Sequence, residues 1–288
     1  MKTLCFGEIL WDIVGDKKTI GGAPFNVSGH FSRLGDDSSV ISALGDDELG
    51  RLALSAISDI GVSREFVTIV PYDTGCAFVT LKEGIPSYSF NTPSAWDYIA
   101  LSDSQTKSIL SEEYDVFVFG TLSQRGKVSH KTLRKLLREI KTKEIFFDVN
   151  LRLNYYSKEI IEEGIMSLTI LKLNDEEERV ILKLLGIKSL TELLDRYKNL
   201  KMIIYTCGGE GSVIITRDNR YVSKPENVSV VDTVGAGDSF SATFLHFFIS
   251  GESIPDAMAK ATSVASFVVQ KPGAIPVYSD ELKARIFR

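Results

Sequence analysis

Short apolar runs that stop at a glycine or a polar cluster, each followed by a stretch with helical spacing, recur along this chain and limit its folds more than any other feature. Leu4–Phe6 ends at Gly7, Val116–Phe119 at Gly120, Ile145–Val149 at Asn150, and Ile170–Leu173 leads into the acidic residues from Asp175. Between them, residues 24–34 predict a helix with Pro24 at its first turn. Val40 and Ile41 sit in a second strand. Leu49, Leu52, Ala53, Ala56 and Ile60 place a helix over 47–59, and a basic amphipathic helix covers 127–140. This alternation predicts a parallel sheet with helices packed on it, an α/β fold.

Two stretches break the pattern. Between about 71 and 98, Tyr88 and Phe90 alternate with Ser87 and Ser89 among Pro71, Gly75, Gly84, Pro86 and Pro93, which predicts a small antiparallel excursion. Met202–Thr206 and Ser212–Thr216 flank a glycine-rich turn and predict a hairpin. Apolar helices over 238–250 and 254–270 follow. The 288 residues fit one large domain with an appendage or two modest ones, and no repeat or Pro-rich linker divides them.

Composition excludes several functions. Lys and Arg total 33 and Asp and Glu 38, a net charge of −5 with no dominant basic run, which argues against a nucleic-acid partner. Cys5, Cys76 and Cys207 are odd in number and far apart, so neither a disulfide framework nor a structural zinc site is expected. Gly7, Glu8 and Asp12 interrupt the N-terminal apolar segment, and no apolar stretch spans a bilayer, so no membrane partner and a cytoplasmic location are expected. His30, His130 and His246 have no paired metal-ligand spacing. His246 falls in an apolar helix and reads as packed or hydrogen-bonded. Gly120–Lys127 has one residue too many for a P-loop and Val128 where a hydroxyl is needed, and no Gly-x-Gly-x-x-Gly is present.

The strongest local signal is Asp232-Thr-Val-Gly-Ala-Gly-Asp238-Ser-Phe240. Gly235, Ala236 and Gly237 let backbone N–H groups approach an anion, and the helix that follows aims its positive end at the same point. Asp238 suits a plain helix cap. It also suits a base that takes a proton from a hydroxyl attacking a phosphorus held by those amides. Gly21-Gly22-Ala23-Pro24-Phe25-Asn26 brings backbone close to a ligand or makes a tight turn.

These two segments resemble the C-terminal and N-terminal signatures of the PfkB (ribokinase-like) carbohydrate kinases, and the likeness covers nearly the whole chain. It implies a three-layer fold with a mostly parallel central sheet flanked by helices. It also implies one kinase domain over 1–288, with a small β lid drawn from about 11–20 and 71–98. It assigns Asp238 as catalytic base, with Gly235, Ala236 and Gly237 stabilising the transferred phosphoryl group. Asp12, Gly22, Asn26, Arg152, Phe90 and Asn91 would meet the sugar, and Trp96 and Asp97 would add contacts from the lid. Lys172, Asn174, Thr206, Gly208, Gly211 and Gly237 would meet ATP. Asn174 and Glu177 would hold magnesium, partly through water, although Asn174-Asp-Glu-Glu177 alone reads as an acidic helix start. Asp232 and Gly273 would serve a monovalent cation such as potassium. Val234 stands where some relatives have Thr, and Thr262 where many have Asn.

The Ala23-Pro24 pair resembles the fructokinase pattern, which implies D-fructose phosphorylated at the 6-hydroxyl. The alternatives are 2-keto-3-deoxygluconate, ribose, tagatose or a nucleoside as acceptor, and, in another class, an idle sugar- or nucleotide-binding regulator. Lids of the family often pair between subunits, which implies a homodimer.

Overall fold

A computed structural model describes residues 1–82 and 85–288. In chain order the strands and helices are β1 (Lys2–Phe6), β2 (Leu10–Val14), β3 (Lys17–Gly21), α1 (Ala23–Arg33), β4 (Asp37–Gly45), α2 (Glu48–Ile60), β5 (Val67–Val70), β6 (Gly75–Lys82) and β7 (Ile85–Phe90). Then come α3 (Asp103–Ser111), β8 (Glu113–Gly120), α4 (Lys127–Glu139), β9 (Lys141–Asp148), α5 (Lys158–Ser167), β10 (Ile170–Asn174), α6 (Asp175–Leu185) and α7 (Leu190–Arg196). The chain closes with β11 (Met202–Thr206), β12 (Ser212–Thr216), β13 (Arg220–Ser223), α8 (Ala236–Ile249), α9 (Ile254–Val268) and α10 (Asp280–Ile286).

Among the described residues two sheets form. The larger runs β13-β12-β11-β10-β9-β8-β1-β4-β5. It is parallel from β11 to β5 and ends in the antiparallel β11-β12-β13 edge. Its strands are apolar on both faces because helices cover both. Phe6, Phe117, Phe119, Phe147 and Leu171 point to the side of α3 to α7. Cys5, Val116, Val118, Phe146 and Ile170 point to the side of α1, α8, α9 and α10. Phe119 and Phe147 stack on neighbouring strands at 4.6 Å between centroids. Each such fully buried ring contributes about 1.5–3 kcal/mol through removal from water.

The chain runs from β1 to β4 on one side and later from β8 to β11 on the other, so strand order reverses beside β1. A crevice opens at that point, outside the carboxyl ends of the strands. The polar clusters after β1, β8, β9, β10 and β11 therefore converge on one rim.

The second sheet, β3-β2-β6-β7, is separate from the first, and its Thr19 side chain approaches the Gly273 loop, 3.7 Å from where a Cβ on Gly273 would be. The predicted alternation at Ser87–Phe90 falls on β7, while Gly84 and the side chains of 79–88 lie outside the described residues. Helix α1 starts at Gly22 with Pro24 in its first turn, as the sequence predicts. The strand expected at Val40 and Ile41 extends over Asp37–Gly45. Cys5, Cys76 and Cys207 are free. No helix among the described residues is long and apolar enough to cross a membrane.

Candidate active site

The turn before α8 is built around one glycine. Gly235 caps the helix in the left-handed region, at φ 78°, and a Cβ there would lie 2.5 Å from the Ala274 carbonyl oxygen. Only glycine fits without moving that backbone. Asp232 fixes the turn from its other side: its carboxylate accepts from Val234 N at 3.0 Å and from Gly273 N at 3.2 Å. Asp232 and Gly273, the expected monovalent-cation pair, are thus joined across two loops. No side chain caps α8, so the positive end of its dipole has no side-chain partner at this turn.

Asp238 sits in the first turn of α8. Its Oδ2 accepts a hydrogen bond from Asn26 Nδ2 at 2.8 Å. Burial pushes its pKa up to about 6, and the charge of Asp148 adds to this; Lys172, the Asn26 bond and Arg152 oppose it. Solvent still reaches the residue from the crevice. The carboxylate is therefore ionised at neutral pH yet basic enough to take a proton.

Lys172, from β10, is buried and pairs with Asp148 Oδ2 at 2.7 Å. Burial alone would lower its pKa, but Asp148, Asp238 and Glu177 together raise it, so it stays charged. A Cβ on Gly237 would stand 3.4 Å from Lys172 Nζ, which puts the ammonium directly under the turn. Asp148 Oδ1 is buried with no hydrogen-bond partner, a free acceptor beside the crevice.

Asn174 and Glu177 form a reciprocal cap at the start of α6. Asn174 Oδ1 accepts from Glu177 N at 2.9 Å, Glu177 Oε2 accepts from Asn174 N at 2.9 Å, and Glu177 Oε1 accepts from Leu151 N at 2.8 Å. Both carboxylate oxygens are engaged, which leaves lone pairs for metal-bound water instead of an open bidentate face. Among the described residues no three His, Cys, Asp or Glu side chains are grouped to hold a metal. A magnesium ion would take most of its ligands from phosphate oxygens and water, and the unpartnered Asp148 Oδ1 and the Asn174–Glu177 pair fit that arrangement.

Beneath the small sheet, Gly22 has φ 113°, and a Cβ on it would fall 2.2 Å from the Glu8 carbonyl oxygen. A Cβ on Gly21 would lie 2.7 Å from Asp12 Oδ2, so the Asp12 carboxylate rests over bare backbone. Burial pushes Asp12 up to about 6, with Arg152 opposing and Asp232 adding. Arg152 is exposed, and its charge also acts on Glu8 and Asp238. Asn150 (φ 38°) and Leu153 (φ 50°) hold the loop that delivers it in a conformation uncommon for side-chain-bearing residues. Such outliers cluster at functional sites.

The residues expected to add contacts from the lid divide. Phe90 packs edge-on against Trp96 and Tyr155, at 6.4 and 6.1 Å. The Asn91 amide is committed to the backbone: Oδ1 accepts from Cys76 N at 2.7 Å and Nδ2 donates to Thr74 O at 3.1 Å. Trp96 and Asp97 are buried instead of facing the crevice. They hold Arg125, whose guanidinium bonds both Asp97 oxygens at 2.7 and 3.0 Å and lies 3.8 Å from the Trp96 ring centroid.

Two residues in polar stretches that follow strands have no individual role assigned by the sequence. Glu8 is buried, and burial pushes its pKa up to about 7 with Arg152 opposing. Its only sequence signal is its place just after a strand. Arg125 lies in a polar stretch after β8, and nothing local reveals its partner.

A cavity of about 780 Å3 opens beside the turn. Asn174, Thr206, Gly208, Gly211 and Gly237, all expected to meet ATP, line it, and Phe240, Val228 and Val269 supply apolar wall. Lys172 lies below it. Thr262 also lines it and bonds Ser223 Oγ at 2.8 Å. Its volume and mixed lining suit a small organic ligand with polar ends.

Comparison with known proteins places the chain in a family. The model of the pfkB family carbohydrate kinases matches residues 5–281. The Arabidopsis thaliana protein called probable fructokinase-4 is 29% identical, over 96% of this chain and 93% of its own length. The structure of fructokinase with bound ATP from Xylella fastidiosa superposes with a TM-score of 0.88 at 22% identity, covering 99% of this chain and 98% of that one. Aminoimidazole riboside kinase from Salmonella enterica, complexed with aminoimidazole riboside and an ATP analog, gives 0.82 at 22% identity, over 99% and 100% of the two chains. With the two signature turns in place at Gly22 and Gly235 and the fold in common, the chain belongs to the PfkB family of carbohydrate kinases.

Proposed function

We propose that this sugar kinase transfers the terminal phosphoryl group of ATP to the 6-hydroxyl of D-fructose. The observation that carries the reading is Asp238 at the uncapped start of α8, bonded to Asn26 and set above the Lys172 ammonium. Asp238 accepts the hydroxyl proton, the sugar oxygen bonds to the γ-phosphorus, and the bond to the β-phosphate oxygen breaks to leave ADP. The amides of Gly235, Ala236 and Gly237 receive charge on the transferred group. Magnesium, near Asn174 and Glu177, would neutralise phosphate charge, and potassium would sit at Asp232 and Gly273. Asp12, Gly22, Asn26 and Arg152 orient the sugar while the small sheet closes over it as a lid and excludes water.

Fructose is favoured by Ala23-Pro24 and by the fructokinase relatives. The riboside kinase neighbour keeps a nucleoside-like acceptor as the second reading, since the same fold serves it. ADP release with magnesium and potassium should be measured on fructose, ribose, 2-keto-3-deoxygluconate, tagatose and adenosine. Highest kcat/KM on fructose supports the assignment. Preference for another acceptor replaces the substrate and keeps the mechanism, and binding without turnover on any acceptor indicates an idle binder.

A further inference from the structure

Helix α1 carries two polar side chains, one turn apart, of which one reaches the start of α8 and the other the Ala274 backbone packed behind Gly235. Asn26 donates to Asp238. His30 is fully buried with both ring nitrogens bonded: Nε2 to the Ala274 carbonyl oxygen at 2.9 Å, and Nδ1 to the Tyr278 hydroxyl at 2.8 Å. A carbonyl oxygen only accepts, so Nε2 bears the proton and the Tyr278 hydroxyl donates to Nδ1. Burial keeps the ring neutral by pulling its pKa down to about 3.

The carbonyl that His30 holds is the same atom that stands 2.5 Å from where a Cβ on Gly235 would be, with Ala274 Cα at 2.7 Å. The Ala274 backbone is thus the wall on which the anion-receiving turn rests. Asp232 secures the opposite side through Val234 N and Gly273 N. Without the imidazole, nothing else among the described hydrogen bonds engages the Ala274 carbonyl.

We propose that His30 is a positioning residue for phosphoryl transfer, fixing the Ala274 carbonyl against Gly235 so that the amides of the turn stay aimed at the transferred group. The inference rests on the sugar-kinase reading. It makes α1 a splint: one face sets the base through Asn26 and the anion-receiving turn through His30. A histidine that merely filled the core would affect stability and leave the turn and kcat alone.

The test uses the full chain with His30→Leu, which removes both bonds, and His30→Gln, whose amide can donate to Ala274 and accept from Tyr278. Steady-state kinetics should show kcat lowered by on the order of 100-fold in His30→Leu, as expected for a displaced catalytic group. Sugar KM should move by less than about threefold, and His30→Gln should recover most of the loss. Hydrogen exchange of the nucleotide-free protein should be faster over 232–238 in His30→Leu and near wild type elsewhere in α8. Wild-type kcat in His30→Leu, unchanged exchange over 232–238, or no recovery in His30→Gln would overturn the proposal. If His30→Leu does not fold, His30→Phe, which keeps a ring and removes both bonds, decides: slower turnover with faster exchange over 232–238 supports it, and no change in either defeats it. The exchange measurement needs no turnover, so it still decides the role of His30 if no sugar is phosphorylated and the kinase reading itself fails.

Discussion

Asn26 and Asp238, separated by 212 positions in sequence, share a 2.8 Å hydrogen bond in which only one half of the Asn26 amide is used. The other half, Asn26 Oδ1, is buried with no donor. The pair is under-bonded as a structural contact, which suits the proposed role of Asp238 as a carboxylate that also accepts a proton.

Replacing Asp238 by Asn should separate function from stability. The amide cannot act as base, and kcat should fall by roughly 100- to 10,000-fold. The amide carries no charge to desolvate and can donate to Asn26 Oδ1. Thermal unfolding at neutral pH should shift upward by about 2 °C or more. An unchanged kcat would remove Asp238 from the base role.

The pH dependence follows from the same burial. Asp238 must be ionised to act, so kcat/KM should rise as pH increases through about 6. Stability runs the other way. The folded pKa of Asp238 lies above the ordinary carboxylate value of 3.8, so the folded state holds the extra proton. That stabilising contribution is complete below the unfolded value and is lost as pH rises through about 6. The melting advantage of Asp238→Asn over wild type should therefore be larger at about pH 8 than at about pH 4.5. Equal offsets at both would contradict the raised pKa.

Two left-handed glycines at helix boundaries provide a matched comparison. Gly186 ends α6 at φ 65° with nothing within 4 Å of a new Cβ, whereas Gly235 begins α8 at φ 78° against Ala274. Alanine at either position costs about 1–2 kcal/mol of backbone strain. Gly186→Ala should lose stability alone and keep wild-type kcat. Gly235→Ala should also displace the turn and lower kcat by about 100-fold. Stopped-assay kinetics beside urea unfolding checks both.

Arg125 and Asp97 form an ion pair whose side chains are 7% and 10% exposed. Arg125→Met strands a buried carboxylate and should cost about 3–5 kcal/mol in urea unfolding. Adding Asp97→Asn removes the stranded charge and should recover part of that loss. A double variant no more stable than the single one would show that Arg125 acts through its packing on Trp96 and Tyr155 instead.

The parts of the fold that could be read in the sequence are those where burial imposes a period. Phe117 to Phe119 sits between two helix layers and so appears as an unbroken apolar run, and Ile170 to Leu173 does so except at Lys172, which pairs with Asp148. Strand β3 is different: Lys17 and Lys18 are exposed, and its pattern carries no core signal. Strands β5 and β13 are short edges, and α3 buries only Ile109, so none of the three stands out. The contiguous glycine turns at Gly22 and Gly235 were legible because each close approach demands glycine at a fixed spacing. The Arg125–Asp97 pair and the bond from His30 to Ala274 were not. They join residues 28 and 244 positions apart through side-chain geometry that no local pattern encodes.

Helix α1 also limits how this chain can change in length. Gly22, Asn26 and His30 lie on consecutive turns of one rod, and each touches a different partner: Glu8, Asp238 and Ala274. One inserted residue within that span would rotate everything after it by about 100° and carry the later contacts off their targets. The turn between β2 and β3, at exposed Gly15 and Asp16, has no such constraint, since nothing lies within 4 Å of a Cβ on Gly15, and it can lengthen. Across descendants of this sequence, insertions and deletions should accumulate there and be absent between residues 22 and 30, even where the residues themselves are exchanged.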